Sequence, residues 1–252
     1  MDTDNLGTGI TLFNEKNMKK FIPITVFAIA MGFLEAAVVV YLRQIYYPTG
    51  FSFPLNPYMP QNILLTGWLR EICTIVMLAC VGIVAAENFI KRLCYFLFAF
   101  GAWDIFYYVG LKIFLNWPES LLTWDILFLI PVPWVGPVLA PIICSLTMIF
   151  LAVNVIFVDG KYGVLLRGKF IDWLLVIFGS FIIYICFSWD FTKLIIRDGF
   201  INKFSTLATD SEFAKTVSLY KPEKFLWFPF IIGELLILIS FFKVWYENRM
   251  VK

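Results

Sequence analysis

Six apolar runs dominate the chain, at about 21 to 43, 64 to 88, 93 to 114, 138 to 158, 171 to 190 and 225 to 245. Each is close to the ~20 residues that a helix needs to cross a hydrocarbon core. Inside lipid a span must satisfy its own backbone hydrogen bonds, so runs of this length fold as helices. The expected architecture is all-α: a polytopic transmembrane helix bundle of about six spans, read as one transmembrane domain over 1–252. Composition agrees, because 15% charged residues is well below the roughly 25% usual in soluble domains. The first run opens at Phe21 with no small-residue cleavage pattern behind it, so it reads as a span and not as a cleaved signal peptide.

Basic residues alternate between connections. Lys16, Lys19 and Lys20 precede the first span, Lys91 and Arg92 follow the second, Lys161, Arg167 and Lys169 follow the fourth, and Lys243, Arg249 and Lys252 close the chain. The positive-inside rule then puts both termini in the cytoplasm of a bacterial inner membrane. Trp68, Trp117, Trp124, Trp189 and Trp227 fall at outer ends and Trp173 and Trp245 at inner ends, as an aromatic belt requires, while Trp103 sits at mid-depth.

Two connections are irregular. In 116–137, Pro131, Pro133 and Pro137 follow a short apolar stretch, and no continuous helix tolerates that density of prolines. The reading is a proline-broken segment before span four: a half-helix over about 123 to 130, then an extended break buried in protein or lining a wet cavity. In 191–224, Phe191, Leu194, Ile195, Ile201, Phe204 and Leu207 recur at nearly helical spacing, and Thr209 with Glu212 resembles a capping box. That stretch reads as an outer interfacial segment.

Charges inside spans mark the candidate site, since each costs ~2.5 to 3.5 kcal/mol at mid-membrane and needs a partner or a role. At ~1.5 Å per residue, Glu35, Arg70 and Glu71 lie about 21 to 24 Å from the cytoplasmic ends, and Asp104 and Glu234 about 14 to 16 Å. Glu35 and Arg70 share a depth on hairpin-linked spans, so an ion pair is available to them. Asp104 and Glu234 share a deeper level that has no basic residue; if adjacent, they would hold a shared proton or a cation. Tyr107 and Tyr108 follow Asp104 by one turn and place phenols beside it. Spans one and three also share a spacing, Gly32, Glu35, Arg43 and Gly101, Asp104, Lys112, in which each glycine one turn below a carboxylate admits a neighbouring helix or ligand.

Other chemistry is excluded or unmarked. The chain has no histidine, which removes His-ligated metal centres and Ser-His or Cys-His nucleophile pairs. Cys73, Cys80, Cys94, Cys144 and Cys186 lie in apolar runs without C-x-x-C spacing and read as core filler. No metal or cofactor motif occurs. A net charge of +2 gives no basic face for nucleic acid.

The stretch from Gly32 to Pro141, especially EAAVVVYLRQIYYPTGF and GAWDIFYYVGLKIFLNWPESLLTWDILFLIPVPWVGPVLAP, resembles a signature of uncharacterised multi-spanning bacterial inner-membrane proteins. That resemblance covers under half the chain and implies no activity. A partial similarity to the membrane-integral lycopene cyclases rests on Trp103-Asp104 and on Pro131, with Pro133 and Trp134 standing where that family has paired glutamates.

Three functions fit these residues. The first is a small carrier or flippase-like protein with Glu35, Arg70, Glu71, Asp104, Tyr107, Tyr108 and Glu234 around a polar cavity, broken helices at midplane being a transporter feature. The second is a membrane-embedded acid/base enzyme acting on a lipid or isoprenoid, with Asp104 or Glu234 as proton donor. The third is a structural subunit of a larger membrane assembly. Membrane lipid is the expected partner, with a homo-oligomer or larger assembly as a possible setting.

Overall fold

The computed structural model describes residues 19–56, 60–197, 199–200 and 210–250. Lys16, Ile201, Phe204, Leu207, Thr209 and Lys252 lie outside the described residues. The elements in chain order are α1 (Phe21–Tyr46), α2 (Gln61–Ala85), α3 (Phe89–Leu115), β1 (Trp124–Phe128), β2 (Trp134–Pro137), α4 (Leu139–Tyr162), α5 (Phe170–Arg197), α6 (Ser211–Val217) and α7 (Trp227–Met250). Six of these helices, all but α6, are long and apolar enough to cross a membrane. The chain is an all-α, multi-pass membrane protein, and its outward faces carry large apolar side chains such as Ile22, Val84, Phe170 and Phe228, as lipid contact requires.

Helix α3 is the hub: α1, α2 and α4 all pack on it, whereas α1 and α2, though consecutive, scarcely touch. Small residues set these approaches. A Cβ on Gly32 would lie 2.8 Å from the Trp103 carbonyl oxygen, and one on Gly101 would lie 2.6 Å from that of Ser145. The two glycines of the shared spacing therefore each admit a neighbouring helix, which in lipid is how backbones gain close van der Waals packing. Helices α5 and α7 form a separate pair that crosses at Gly179 and Gly233, where a Cβ on either would strike the other's carbonyl oxygen. Lys243 adds an ion pair to Asp172 at 2.5 Å, and Ser240 donates to the Asp172 carbonyl at 2.9 Å. Lys91 and Asp159, 2.6 Å apart, tie α3 to α4. Cys94 and Cys186 are buried as core filler would be, but Cys73 and Cys80 are exposed, because they lie on the outward face of α2.

The segment before span four departs from the expected half-helix over 123 to 130. It is an antiparallel hairpin, with Trp124 opposite Pro137, Asp125 opposite Gly136, Ile126 opposite Val135 and Phe128 opposite Trp134. The apolar run is too short for periodicity to separate strand from helix, and its aromatic and β-branched content suits a strand. Pro131 and Pro133 occupy the connecting loop, where a missing N–H costs no ladder bond. Outside the ladder, the Leu129 N–H donates to Glu71 at 2.9 Å, Trp134 Nε1 donates to the Ile130 carbonyl, and the Val138 and Leu139 N–H groups donate to Thr123 and Leu121. These bonds are what allow irregular backbone within the bundle.

The interfacial segment expected over 191–224 starts later than its spacing implied. Phe191, Leu194 and Ile195 belong to the last turns of α5, because that helix runs on to Arg197. Leu194, Ile195 and Phe200 pack on Val132 of the hairpin loop, with Phe213 of α6 against them. Asp210 caps α6, its carboxylate accepting from the N–H groups of Glu212 and Phe213. Beyond α6, Tyr220 donates its hydroxyl to Asp190 at 2.5 Å; burial and the adjacent carboxylate both push that phenol well above its usual range.

Candidate functional site

A cavity of about 350 Å³ opens between α1, α2, α3 and the hairpin, with the end of α5 and α6 closing its far side. Glu35, Arg70, Glu71, Asp104, Tyr107 and Tyr108 line it. Of the seven residues singled out in the sequence, only Glu234 is not among its lining residues.

The first wall is ionic. Glu35 on α1 accepts from Arg70 Nη1 on α2, and Arg70 Nη2 lies 3.7 Å from Glu71. This pair bridges the two helices that do not otherwise pack on each other. Gly67, one turn before Glu71, makes room for the Leu129 side chain 3.2 Å from where its Cβ would be. Glu71 then accepts the Leu129 N–H, so one face of α2 receives the hairpin loop and fixes it.

The second wall is a pair that the sequence reading did not identify as a site. Arg43 Nη2 donates to Asp125 Oδ1 at 2.8 Å, with 8% and 1% of the side chains exposed. The guanidinium lies against the Trp117 and Phe51 rings, 3.8 and 4.4 Å from its carbon to their centroids. Tyr47 completes this corner, its hydroxyl accepting from the Asn56 N–H at 2.9 Å, and burial pushes that phenol above its ordinary value. In the sequence Arg43 stands out through its spacing from Gly32 and Glu35. A second legible sign was the aromatic company at Tyr46, Tyr47 and Phe51, whereas Asp125 had none beyond its odd place in a proline-rich apolar stretch.

The floor is Asp104, whose Oδ2 accepts from Ser145 Oγ at 2.8 Å. Trp103 and Tyr108 flank it; both are at least nine-tenths buried and line the cavity, and Trp103 Nε1 has no hydrogen-bond partner, whereas the Tyr108 hydroxyl faces the Asp125 carboxylate. Arg43 Nη1 and Arg70 Nε are also unpartnered. A buried donor left unmade costs about 1 to 3 kcal/mol, so three around one cavity indicate a space built for polar occupants.

No family model, curated protein or solved structure matches the chain. The geometry is therefore the basis for a functional reading.

Asp104 and Glu234 are held apart by α4. Glu234 accepts from Thr147 Oγ1 at 2.8 Å, while Asp104 accepts from Ser145. Two positions along a helix turn it by about 200°, so the carboxylates occupy opposite sides of α4. Lys112, third in the shared spacing, also differs from Arg43: it donates to the Asn116 and Pro118 carbonyls and caps the end of α3. Among the described residues no group of three Cys, Asp or Glu side chains is placed to hold a metal ion.

Proposed function

We propose that this protein is a small carrier or flippase-like protein of a bacterial inner membrane, with both termini cytoplasmic, that takes a membrane-partitioning molecule into the cavity between α1, α2 and α3. The observation that carries this reading is the convergence of Glu35, Arg70, Glu71 and Asp104 on one cavity flanked by two helices that do not pack together. Charges confined to helix–helix glue would be consumed in close-packed seams; here they surround open volume. Between α1 and α2 the closing contact on the cavity side is the Glu35–Arg70 ion pair, which a membrane-borne molecule would displace on entry. The hairpin forms one wall of that volume and is tied to α2 through Glu71 and to α1 through Asp125.

Carriage requires the cavity to be reached from both sides. Thr74 of α2 is buried and lines the cavity. In a chain with its five native cysteines replaced, Thr74→Cys should react with a membrane-impermeant methanethiosulfonate reagent added to either face of sealed vesicles. Reaction from one face only would replace carriage with a fixed pocket. That outcome favours the acid/base enzyme acting on a lipid, a reading supported by Asp104 lying among Trp103 and Tyr108 on the cavity wall. Reaction from neither face would leave the structural-subunit reading.

A further inference from the structure

The cavity has more negative than positive groups. Four carboxyls line it, Glu35, Glu71, Asp104 and Asp125, against two guanidiniums, Arg43 and Arg70. Both guanidiniums already have a carboxylate counter-charge, though Arg43 Nη1 and Arg70 Nε each lack an acceptor. Arg70 is held by Glu35, and Arg43 is held by Asp125 and enclosed by the Phe51 and Trp117 rings. That leaves Asp104, whose hydrogen-bond donor is a neutral serine, and Glu71, whose hydrogen-bond donor is a backbone N–H and whose nearest cation is 3.7 Å away. Neither hydrogen bond supplies a compensating charge, and burial without one is unfavourable for a carboxylate.

The remaining surface is aromatic. Trp103 and Phe128 are 6.1 Å apart between ring centroids, and Tyr107 and Tyr108 are 5.0 Å apart; all four rings line the cavity. Ring faces attract cations, and carboxylates beside ring faces select for a positive charge carried on an apolar body. The carboxyls do not converge on a point, since no cluster suited to a metal ion occurs among the described residues. A broad, weakly hydrated organic cation fits that spread better than a compact inorganic one. Trp103 Nε1, at least nine-tenths buried and without a hydrogen-bond partner, independently marks the Asp104 end of the cavity as open to an occupant.

We propose that the cargo of this cavity is an amphiphilic organic cation, neutralised by Asp104 and Glu71 and seated among the rings of Trp103, Tyr107, Tyr108 and Phe128. The proposal deepens the carrier reading and rests on it for the word cargo; the binding site itself does not require carriage. An anionic headgroup, the opposite class, would meet two guanidiniums that already have carboxylate counter-charges, one of them shared by Glu35 and Glu71, and the Asp104 carboxyl, which has no cation beside it.

Tetraphenylphosphonium and tetraphenylborate are nearly isosteric and opposite in charge, so they separate charge recognition from apolar partitioning. Equilibrium binding of each is measured on the purified full chain in detergent, for the native sequence and for Asp104→Asn, Glu71→Gln and Glu234→Gln. The expected result is saturable phosphonium binding, weakened by about tenfold or more in Asp104→Asn and in Glu71→Gln, unchanged in Glu234→Gln, and with no saturable borate binding. Asparagine and glutamine keep the acceptor oxygens that Ser145 and Leu129 use, and thermal unfolding of each variant verifies its fold. Asp104→Glu, which restores the charge, should recover binding if loss in Asp104→Asn is a charge effect. Preferred borate binding, absence of saturable phosphonium binding, or phosphonium binding indifferent to both neutralising variants overturns the proposal. Phosphonium binding combined with one-sided reactivity of Thr74→Cys would keep the cation site and remove carriage. Two-sided reactivity with borate preferred would do the reverse.

Discussion

Arg43 and Asp125 stand 82 positions apart in sequence and 2.8 Å apart in the structure, the first at the end of α1 and the second in β1. The pair joins the first span to the hairpin that closes the cavity. Its burial means that neither partner can be removed without stranding the other. Arg43→Ala should destabilise the purified protein by about 3 to 5 kcal/mol, measured by unfolding in detergent. Arg43→Ala with Asp125→Asn should recover part of that loss, and Arg43→Lys should fall between, since an ammonium lacks the planar face that lies against Trp117. Equal stabilities for native protein and Arg43→Ala would show that the pair does not hold the hairpin.

Glu35 and Arg70 should matter less. Their side chains are 12% and 24% exposed, against 1% and 8% for Asp125 and Arg43. Arg70→Ala should therefore cost roughly 1 to 3 kcal/mol, because residual solvation softens the stranded charge. A double-mutant cycle with Glu35→Gln checks the coupling. Strict additivity would mean that the two side chains act independently.

The two mid-span carboxyls should differ in chemical access. Asp104 lines the cavity and Glu234 is not among its lining residues. Dicyclohexylcarbodiimide, which partitions into membranes and attacks carboxyls, should modify Asp104 in native membranes faster than Glu234, as read by peptide mass spectrometry. Faster modification of Glu234 would shift the candidate site to the α4–α7 seam.

Helix α1 should tolerate added bulk on its lipid face and reject it at its contact with α3. A Cβ on Gly32 would stand 2.8 Å from a backbone oxygen that no rotamer change moves. Gly32→Ala should cost about 1 to 3 kcal/mol through forced separation of the helices. Ala30→Val, at an exposed position of the same helix, should be close to neutral. Equal effects would place the α1–α3 contact elsewhere.

Membrane orientation is open to a direct test. Thr49 follows the first span and Lys161 lies at the end of the fourth, so in a six-span chain they face opposite compartments. In a cysteine-free background, Thr49→Cys should be labelled by an impermeant maleimide from the periplasm and Lys161→Cys only from the cytoplasm. Thr49→Cys labelled only from the cytoplasm would invert the topology.

Hydropathy by itself determined the six spans, because the cost of exposing backbone in lipid acts on each segment separately and is legible from its own composition. Depth counted along the helices also brought Glu35 and Arg70 to one level, and the three-residue spacing put Gly32 and Gly101 where close helix contacts are needed. Tertiary structure alone decided the rest. The 124–137 stretch pairs as a hairpin because its strands find each other and Glu71, a choice that a short apolar run leaves open. Asp125 finds Arg43 only once that hairpin folds back over α1. Asp104 and Glu234, level in depth, are divided by the rotation of α4 between Ser145 and Thr147. Depth is a property of one helix; adjacency depends on how several helices turn toward one another, and no periodicity within a single span encodes it.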